Sequence, residues 1–139
     1  MPDPRGIIAT IASLVLVAAC HSLPRAPPPS ADDQSGFSEV GLASWYGAPF
    51  QRRRTASGER FDMDRLTAAH RTLPLNCYVR VTSLATGRSV VVRINDRGPY
   101  VSGRVIDLSA EAARELGIKD EGLARVRIKL LSASEARLW

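Results

Sequence analysis

The stretch Val92-Arg93-Ile94-Asn95-Asp96-Arg97-Gly98-Pro99-Tyr100, followed by Val105-Ile106-Asp107-Leu108-Ser109, carries the densest structural signal of this chain. A strand of buried character runs into a tight turn that holds an acid and a base, and a second apolar strand then brings in another acid. A turn that only reverses the chain is satisfied by Asn-Gly or Pro-Asp-Gly. The additional charged side chains therefore indicate a functional loop that is held in place by a rigid pair of strands.

On both sides of this stretch, short apolar segments alternate with turn signals. The segment Tyr78-Val79-Arg80-Val81-Thr82-Ser83 alternates like a half-buried strand, whereas Val90-Val91-Val92 predicts burial on both faces. In the last strand the apolar residues face one way, and Arg125, Arg127 and Lys129 face the other. The predicted strands cover residues 40–46, 78–83, 89–95, 105–108 and 124–131, and a hairpin turn covers residues 85–88.

Helix signals occur in two places. Ser109 is typical of a helix N-cap and Gly117 of the position just after a helix, so we predict a helix over residues 110–116. A second short helix is predicted over residues 63–70. Roughly six short strands with one or two short helices predict a mainly β fold, a compact closed barrel that leaves no sheet edge exposed.

Residues 1–19 have the pattern of a lipoprotein signal peptide. Arg5 precedes an uncharged apolar run from Gly6 to Ala19, which is shorter than the roughly 20 residues of a membrane span. The run ends in Leu16-Val17-Ala18-Ala19-Cys20, which resembles the lipobox of bacterial lipoproteins, in which the cysteine is acylated. An ordinary signal peptide, or a core helix, is the alternative interpretation.

The residues that follow the lipobox predict a tether. Residues 20–39 begin with the lipidated Cys20, are rich in proline and polar residues, and bury too little apolar surface to offset their ordering entropy. We therefore expect a disordered spacer at 20–39, a globular domain at 40–131 and a C-terminal tail at 132–139. His21 stands where an Asp would favour inner-membrane retention, so we expect a lipid anchor in the outer membrane of a bacterial envelope, facing the periplasm.

The charge balance narrows the range of partners. The formal net charge is +5, which ordinarily suggests nucleic acid, but an exported and lipid-anchored chain does not meet nucleic acid. Anionic envelope polymers and phospholipid surfaces are the expected counter-charges, and a solvated basic surface without a partner is the alternative.

Cys77 has no other cysteine in the domain to pair with, and its apolar-alternating surroundings predict that it is buried.

Elimination leaves carboxylates as the reactive groups of the domain. We find no Ser-His-Asp arrangement, no phosphate-binding glycine loop, and no Cys or His cluster with metal-ligand spacing, so we predict neither a metal nor a cofactor. His70 supplies the imidazole of the domain. Glycosidic cleavage needs a carboxylic acid that protonates the leaving oxygen. The candidate acids are Glu59, Asp62, Asp64, Asp96 and Asp107.

Each of the main candidates also has a purely structural interpretation. Asp96 ends a buried strand in a loop and is the best placed acid, but it could instead bond its own turn. Glu59 could be a solvated loop acid, and His70 could cap the predicted short helix. Asp107 could anchor the next turn. Residue types alone therefore leave both interpretations open.

Aromatic and basic residues near these acids are the predicted substrate-binding residues. Trp45 and Tyr46 could line a sugar groove, although aromatic packing in the core is equally compatible with their positions. Arg97 and Tyr100 belong to the same turn as Asp96.

Five motifs of the domain resemble the rare lipoprotein A family, and they occur in the family's order. They cover about residues 40–131, and five motifs in register make the resemblance specific. The motifs are Gly41-Leu42-Ala43-Ser44-Trp45-Tyr46-Gly47, Thr55-Ala56-Ser57-Gly58-Glu59-Arg60-Phe61, Leu66-Thr67-Ala68-Ala69-His70-Arg71-Thr72-Leu73-Pro74-Leu75, the stretch from Val92 to Tyr100, and the stretch from Gly103 to Ser109.

The resemblance implies a six-stranded double-psi β-barrel and an envelope lipoprotein that acts on peptidoglycan. Characterised members are lytic transglycosylases that cut glycan strands and favour strands stripped of stem peptides. The C6 hydroxyl of the sugar attacks C1 and leaves a 1,6-anhydro end, so one acid/base residue serves both steps. Asp96 falls on the family's catalytic Asp, and Glu59 and His70 fall on its other active-site positions. Asp107 is left with a structural role.

The chain also departs from the family pattern. Many members carry a C-terminal SPOR domain, for which the sequence after residue 131 leaves no room. Asn76-Cys77 stands where the family usually has Gly-Thr, and because Asn can adopt the left-handed conformation, we expect the turn to be retained. A non-catalytic glycan-binding module, similar to the barrel of expansins, is the alternative function, and a structural envelope protein is a third.

Overall fold

The computed structural model describes residues 36–139, and six strands in this part of the chain close into one barrel. The strands are β1 (Ser38–Tyr46), β2 (Thr67–Ala69), β3 (Tyr78–Ser83), β4 (Ser89–Asp96), β5 (Arg104–Ser109) and β6 (Ala124–Leu130). Two short helices accompany them, α1 (Ala110–Leu116) and α2 (Ala133–Ala136), together with a 3-10 turn at Ala48–Phe50. Around the barrel the order is β1-β5-β2-β4-β3-β6.

The barrel combines parallel and antiparallel neighbours. β1 runs parallel to β5, and β2 runs parallel to β4. The other four pairs, β1/β6, β2/β5, β3/β4 and β3/β6, are antiparallel. Each parallel pair shifts its register once, between Leu42 and Ala43 in β1 and between Ala68 and Ala69 in β2. The prediction of a mainly β, six-stranded double-psi barrel is confirmed.

The core lies inside the barrel and between the barrel and α1. On β3 and β6 every second residue points inward, so Val81 and Ile128 are fully buried while Arg127 is exposed. Val90, Val91 and Val92 are all buried, as the apolar run predicts. The inner face of β4 belongs to the barrel core, and α1 packs against the same strand.

The caps of α1 confirm the predicted helix boundaries. The Ser109 hydroxyl accepts a hydrogen bond from the backbone N–H of Ala112 at 3.2 Å. Gly117 ends the helix with a φ of 81°, where a side chain would be strained. Asn76 has a φ of 68°, so it takes the left-handed conformation expected where the family has glycine.

The helix predicted over residues 63–70 is wrong. Residues 62–66 form turns, and Thr67–Ala69 form β2, which pairs with β4 on one side and β5 on the other. The local sequence pattern is typical of a helix. Strands β4 and β5, however, offer hydrogen-bond partners to the backbone of these residues, and a helix here would leave those partners unpaired. Ladder pairing on both sides therefore overrides the local preference.

Three details at the ends and rim of the domain also differ from expectation. β1 begins at Ser38, because Ser38 and Glu39 pair with β6, so the predicted tether ends before residue 39. Residues 133–136 of the predicted tail form α2. Cys77 is half-buried, since it lies just before β3 at the barrel rim, and it packs against the core.

The predicted signal peptide, lipobox and most of the tether lie outside the described residues. Within residues 36–139, none of the helices has the length and apolar character that would carry it across a membrane.

Strands β1 and β5 approach each other closely at Gly41, and a substitution at this residue tests the packing between them. A Cβ added to Gly41 of β1 would lie 2.4 Å from Cγ1 of Val105 on β5. We expect Gly41→Ala to lower the free energy of unfolding by about 1–3 kcal/mol, because the seam must open to admit the methyl group. The exposed Ser38→Ala in the same strand is the control and should stay within about 0.5 kcal/mol of wild type. Equal stability of the two variants in urea titrations would contradict this packing.

Candidate active site

A cleft of about 280 Å³ opens where several strands end. Ala69 of β2 pairs with Asp96 of β4 on one side and with Asp107 of β5 on the other. Since neighbouring strands lie about 4.8 Å apart, the two acids stand roughly 10 Å apart across β2, measured between backbones. The residues that line the cleft are Trp45, Tyr46, Phe50, Ala69, Asp96, Arg97, Arg104 and Asp107.

The Asp96 carboxylate is held by backbone amides. Its Oδ1 accepts hydrogen bonds from the N–H of Ala56 at 3.0 Å and from the N–H of Arg97 at 2.9 Å. Among residues 36–139, Asp96 takes part in no ion pair, and its Oδ2 has no hydrogen-bond partner. One oxygen of the carboxyl group is therefore fixed, and the other is available to a molecule bound in the cleft.

Arg97 braces the loop that lies beside the cleft. Its Nη1 donates to the carbonyl oxygens of His70 at 3.1 Å and of Leu73 at 2.7 Å. The guanidinium group is thus engaged by backbone carbonyls, while the residue as a whole still contributes to the cleft wall. The same loop is also bonded to the backbone of Asp96, through the N–H of His70. Arg97 and Asp96 therefore both stabilise this loop.

His70 follows Ala69, which lines the cleft, and is itself 3% exposed. Its Nδ1 accepts hydrogen bonds from the N–H groups of Thr72 and Leu73, each at 3.1 Å, so Nε2 carries the proton that bonds Glu39 at 3.0 Å. Its backbone N–H donates to the carbonyl oxygen of Asp96 at 3.1 Å. Both ring nitrogens are therefore occupied, and the contact of His70 with Asp96 passes through the backbone.

Glu59 lies on a neighbouring depression and is bound to Arg93. Two hydrogen bonds, of 2.7 and 3.0 Å, join its carboxylate oxygens to the Arg93 guanidinium, and the Ser57 hydroxyl donates at 3.2 Å. The bond to Arg93 is the main reason that the pKa of Glu59 lies below its ordinary value, and Asn95 and Ser57 act in the same direction against partial burial. Glu59 does not line the cleft that holds Asp96.

The ionic cluster that lies in the cleft was not predicted from the sequence. The Arg104 guanidinium bonds the Asp107 carboxylate and the Ser44 hydroxyl, and the Ser44 hydroxyl donates to Asp107. The expectation that Asp107 has a structural role is incomplete, since Asp107 is tied to its neighbours but also lines the cleft. The signal was present in the sequence, because Arg104 and Asp107 lie three residues apart at the start of one apolar strand.

Tyr46 presents an unbonded hydroxyl between the two acids. Its ring packs edge-on against Phe50, with centroids 5.6 Å apart. It also lies against Phe61 at a tilt of 31°, with centroids 4.4 Å apart. The hydroxyl oxygen is buried and has no hydrogen-bond partner among the described residues. Burial, and then the charges of Asp96 and Asp107, raise the pKa of Tyr46, so the phenol stays neutral and keeps its proton for donation.

The other two aromatic candidates differ in position. Trp45 lines the cleft, donates from Nε1 to the carbonyl oxygen of Lys119 at 3.1 Å, and packs partly against the core. Tyr100 is 78% exposed and does not line the cleft. The structure thus brings Asp96, Arg97, Trp45 and Tyr46 into one cleft. His70, Glu59 and Tyr100 are not among the residues that line it.

Fold and cleft together define a double-psi β-barrel protein with two carboxylates in an aromatic-lined cleft. A family model described as "Lytic transglycolase" matches residues 38–128, which is most of the described chain. The chain belongs to this lytic transglycolase family. All five motifs lie within the residues that the family model matches.

Curated relatives resemble the barrel closely. The chain is 60% identical over 91 residues to "Probable endolytic peptidoglycan transglycosylase RlpA" from Synechocystis, a match that covers 66% of the chain and 28% of the relative. It is 54% identical over 98 residues to "Endolytic peptidoglycan transglycosylase RlpA" from Pseudomonas aeruginosa, covering 70% of the chain and 29% of the relative. The Neisseria meningitidis protein of that name is 53% identical, covering 67% and 39%. The chain spans well under half the length of these relatives.

Solved structures share the fold at low sequence identity. The Streptomyces papain inhibitor superposes with a TM-score of 0.57 and 22% identity, over 70% of this chain and 96% of the inhibitor. The apo expansin from Clavibacter michiganensis superposes with a TM-score of 0.56 and 22% identity, over 70% of this chain and 52% of the expansin. At this identity the likeness shows the barrel fold alone.

The Glu59–Arg93 ion pair should make the free energy of unfolding depend on pH. Because the pKa of Glu59 is lower in the folded than in the unfolded chain, the pair stabilises the fold above the ordinary value of 4.5, and this contribution is lost as the pH falls through the folded value. Glu59 is 38% exposed, so solvent screening limits the contribution to about 1 kcal/mol or less. We expect Glu59→Gln to lose less stability than wild type between pH 6 and pH 3, measured by urea unfolding.

The exposed Glu121→Gln is the matched control for this acid titration. Glu121 makes no ion pair within residues 36–139, so its variant should follow the wild-type pH dependence. A Glu59→Gln curve parallel to wild type would show that the pair contributes nothing to folding.

Proposed function

We propose that this chain is an endolytic peptidoglycan lytic transglycosylase in which Asp96 is the acid/base catalyst. The observation that carries the proposal is the Asp96 carboxyl group, which has one oxygen fixed by two backbone amides and the other free toward the cleft. Glycosidic cleavage needs a carboxylic acid that is held within reach of the leaving oxygen. The names and sequence identity of the curated relatives support the same activity.

The proposed reaction uses one carboxyl group twice. Protonated Asp96 donates its proton to the oxygen that links MurNAc C1 to GlcNAc, and the C1–O bond breaks. The C6 hydroxyl of the same MurNAc then attacks C1, and its proton passes to the Asp96 carboxylate. The products are a free GlcNAc hydroxyl and a 1,6-anhydroMurNAc end, no water is consumed, and Asp96 is again protonated.

Glu59 and His70 are positioning residues in this proposal. Glu59, bound to Arg93, ends the turn whose Ala56 N–H holds Oδ1 of Asp96. His70 supports the Asp96 backbone and the loop that Arg97 braces. Both therefore set where the carboxyl group points, and neither has to touch the sugar.

The remaining predicted residues would contact the glycan. Trp45 and Tyr46 would contact the sugar through the parts of their side chains that line the cleft. Arg97 contributes to the cleft wall. Tyr100, on the exposed turn after Asp96, would contact a more distant part of the strand. The proposed substrate is a glycan strand without stem peptides, because it presents bare sugars to this cleft.

Asp96→Asn tests the catalytic proposal. An amide keeps the shape of the side chain but cannot deliver a proton, so we expect at least a ~100-fold loss of 1,6-anhydro products with glycan binding retained. The whole chain would be incubated with amidase-treated glycan strands, and the products would be identified by mass spectrometry. Asp120→Asn, in the exposed loop after α1, is the control and should keep wild-type activity.

Two results would contradict the catalytic proposal. Wild-type chain that binds glycan but releases no anhydro ends would instead support the alternative, a non-catalytic glycan-binding protein. Full activity of Asp96→Asn would move the acid/base role to another residue.

We also propose that the chain is anchored through an acylated Cys20 in the outer membrane. The lipobox-like sequence and the absence of a charge between Gly6 and Ala19 support this. In bacteria supplied with labelled palmitate, wild type should incorporate the label, Cys20→Ser should lose it, and Cys77→Ser should retain it. Label that persists in Cys20→Ser would overturn the anchor.

A further inference from the structure

A second depression, of about 310 Å³, lies on the outer face of the barrel beside β2. Its floor contains a row of three residues on three neighbouring strands. Thr67 of β2 pairs with Arg93 of β4, and Arg93 pairs with Tyr78 of β3. Because Ala68 points into the barrel core, Thr67 and its neighbours in the row face away from the core.

The Thr67 hydroxyl is an unexplained polar group in this floor. Thr67 is 4% exposed, and its hydroxyl oxygen has no hydrogen-bond partner among the described residues. Buried polar groups in proteins are almost always bonded, since an unmade hydrogen bond costs about 1–3 kcal/mol. A polar ligand in the depression would satisfy this hydroxyl.

The rim of the depression offers a cation and an aromatic ring. The Arg65 side chain is 74% exposed, and its nearest acid is the Asp62 carboxylate at 3.7 Å. Trp139 is 63% exposed and lines the same depression. Arg93, in contrast, is already bonded to Glu59 and Asn76, so Arg65 is the guanidinium that can pair with a ligand.

These groups match one class of ligand. Aromatic faces such as those of Trp139 and Tyr78 pack against the apolar face of a sugar ring. A guanidinium group favours a carboxylate, and a buried hydroxyl favours a sugar hydroxyl. A MurNAc unit without a stem peptide carries all three features, because its lactyl carboxylate is free.

We propose that the depression formed by Arg65, Thr67, Tyr78, Arg93 and Trp139 is a second saccharide site, which binds a peptide-free MurNAc unit through its lactyl carboxylate. The site lies next to the cleft. Thr67 and Ala69 are on the same face of β2, two residues and about 7 Å apart, and Ala69 lines the cleft. A glycan strand can therefore occupy both. The site rests on the proposed function for the identity of the sugar.

Binding to an inactive chain tests the second site separately from catalysis. In the Asp96→Asn background, calorimetry would measure the affinity for peptide-free glycan oligomers. Arg65→Ala and Trp139→Ala should each weaken binding by about tenfold, since each removes one charged or aromatic contact. Arg127→Ala and Leu138→Ala, at exposed positions outside the depression, are the matched controls and should bind like the parent.

Two further binding measurements identify which groups of the glycan the site recognises. Esterifying the lactyl carboxylates should weaken binding to the parent and abolish the difference between the parent and Arg65→Ala, because the charge that Arg65 pairs with is gone. Thr67→Val should weaken binding by about threefold or more while leaving Tm unchanged or raised, because it removes an unbonded hydroxyl. A structural hydroxyl would instead lower Tm.

The outcomes separate this site from the proposed function. Arg65→Ala and Trp139→Ala that bind like their controls, or no measurable glycan binding, would overturn the second site. An Arg65 effect that persists with esterified glycan would overturn the carboxylate assignment. Arg65-dependent binding by a wild-type chain that releases no anhydro products would contradict the catalytic proposal and support the second site.

Discussion

The pairing of β2 between β4 and β5 is the constraint on which the barrel and its cleft depend. β2 has three residues, and all three are buried. It closes the ring between two longer strands and sets Asp96 and Asp107 on its two sides, both opposite Ala69. The small side chains of Ala68 and Ala69 leave room for this close packing. A bulkier side chain in place of Ala69 would fill part of the cleft that the two acids line.

The position of Asp96 depends on main-chain bonds. Its carbonyl oxygen accepts from His70, its Oδ1 accepts from Ala56 and Arg97, and the Arg97 guanidinium returns to the His70 carbonyl. Backbone groups belong to the barrel and its short loops, so they move less than long side chains do. The result is an acid whose free oxygen has a defined direction, as general acid/base chemistry requires. Glu59 and His70 belong to the segments that bond Asp96, although neither side chain lines the cleft.

Sequence reasoning found the parts of the fold that local patterns encode. Alternation located β3 and β6, and the Ser109 and Gly117 caps located α1. It failed at β2, since three residues carry too little pattern and their strand pairing is entirely long-range. It also missed Arg104, because the bonds that join Arg104 and Asp107 to Ser44 form only when β5 lies beside β1. Residue types alone make Glu59 and His70 candidates, and the resemblance to a family singles them out as expected active-site positions.

In the proposed mechanism, the free oxygen of Asp96 faces the glycosidic bond that is cut. A crystal structure of the Asp96→Asn chain with a peptide-free glycan oligomer tests this most directly. We expect the side chain of residue 96 to lie about 3 Å from the oxygen that links MurNAc to GlcNAc, within hydrogen-bond distance. A glycan seated with every glycosidic oxygen out of hydrogen-bond reach of residue 96 would contradict it.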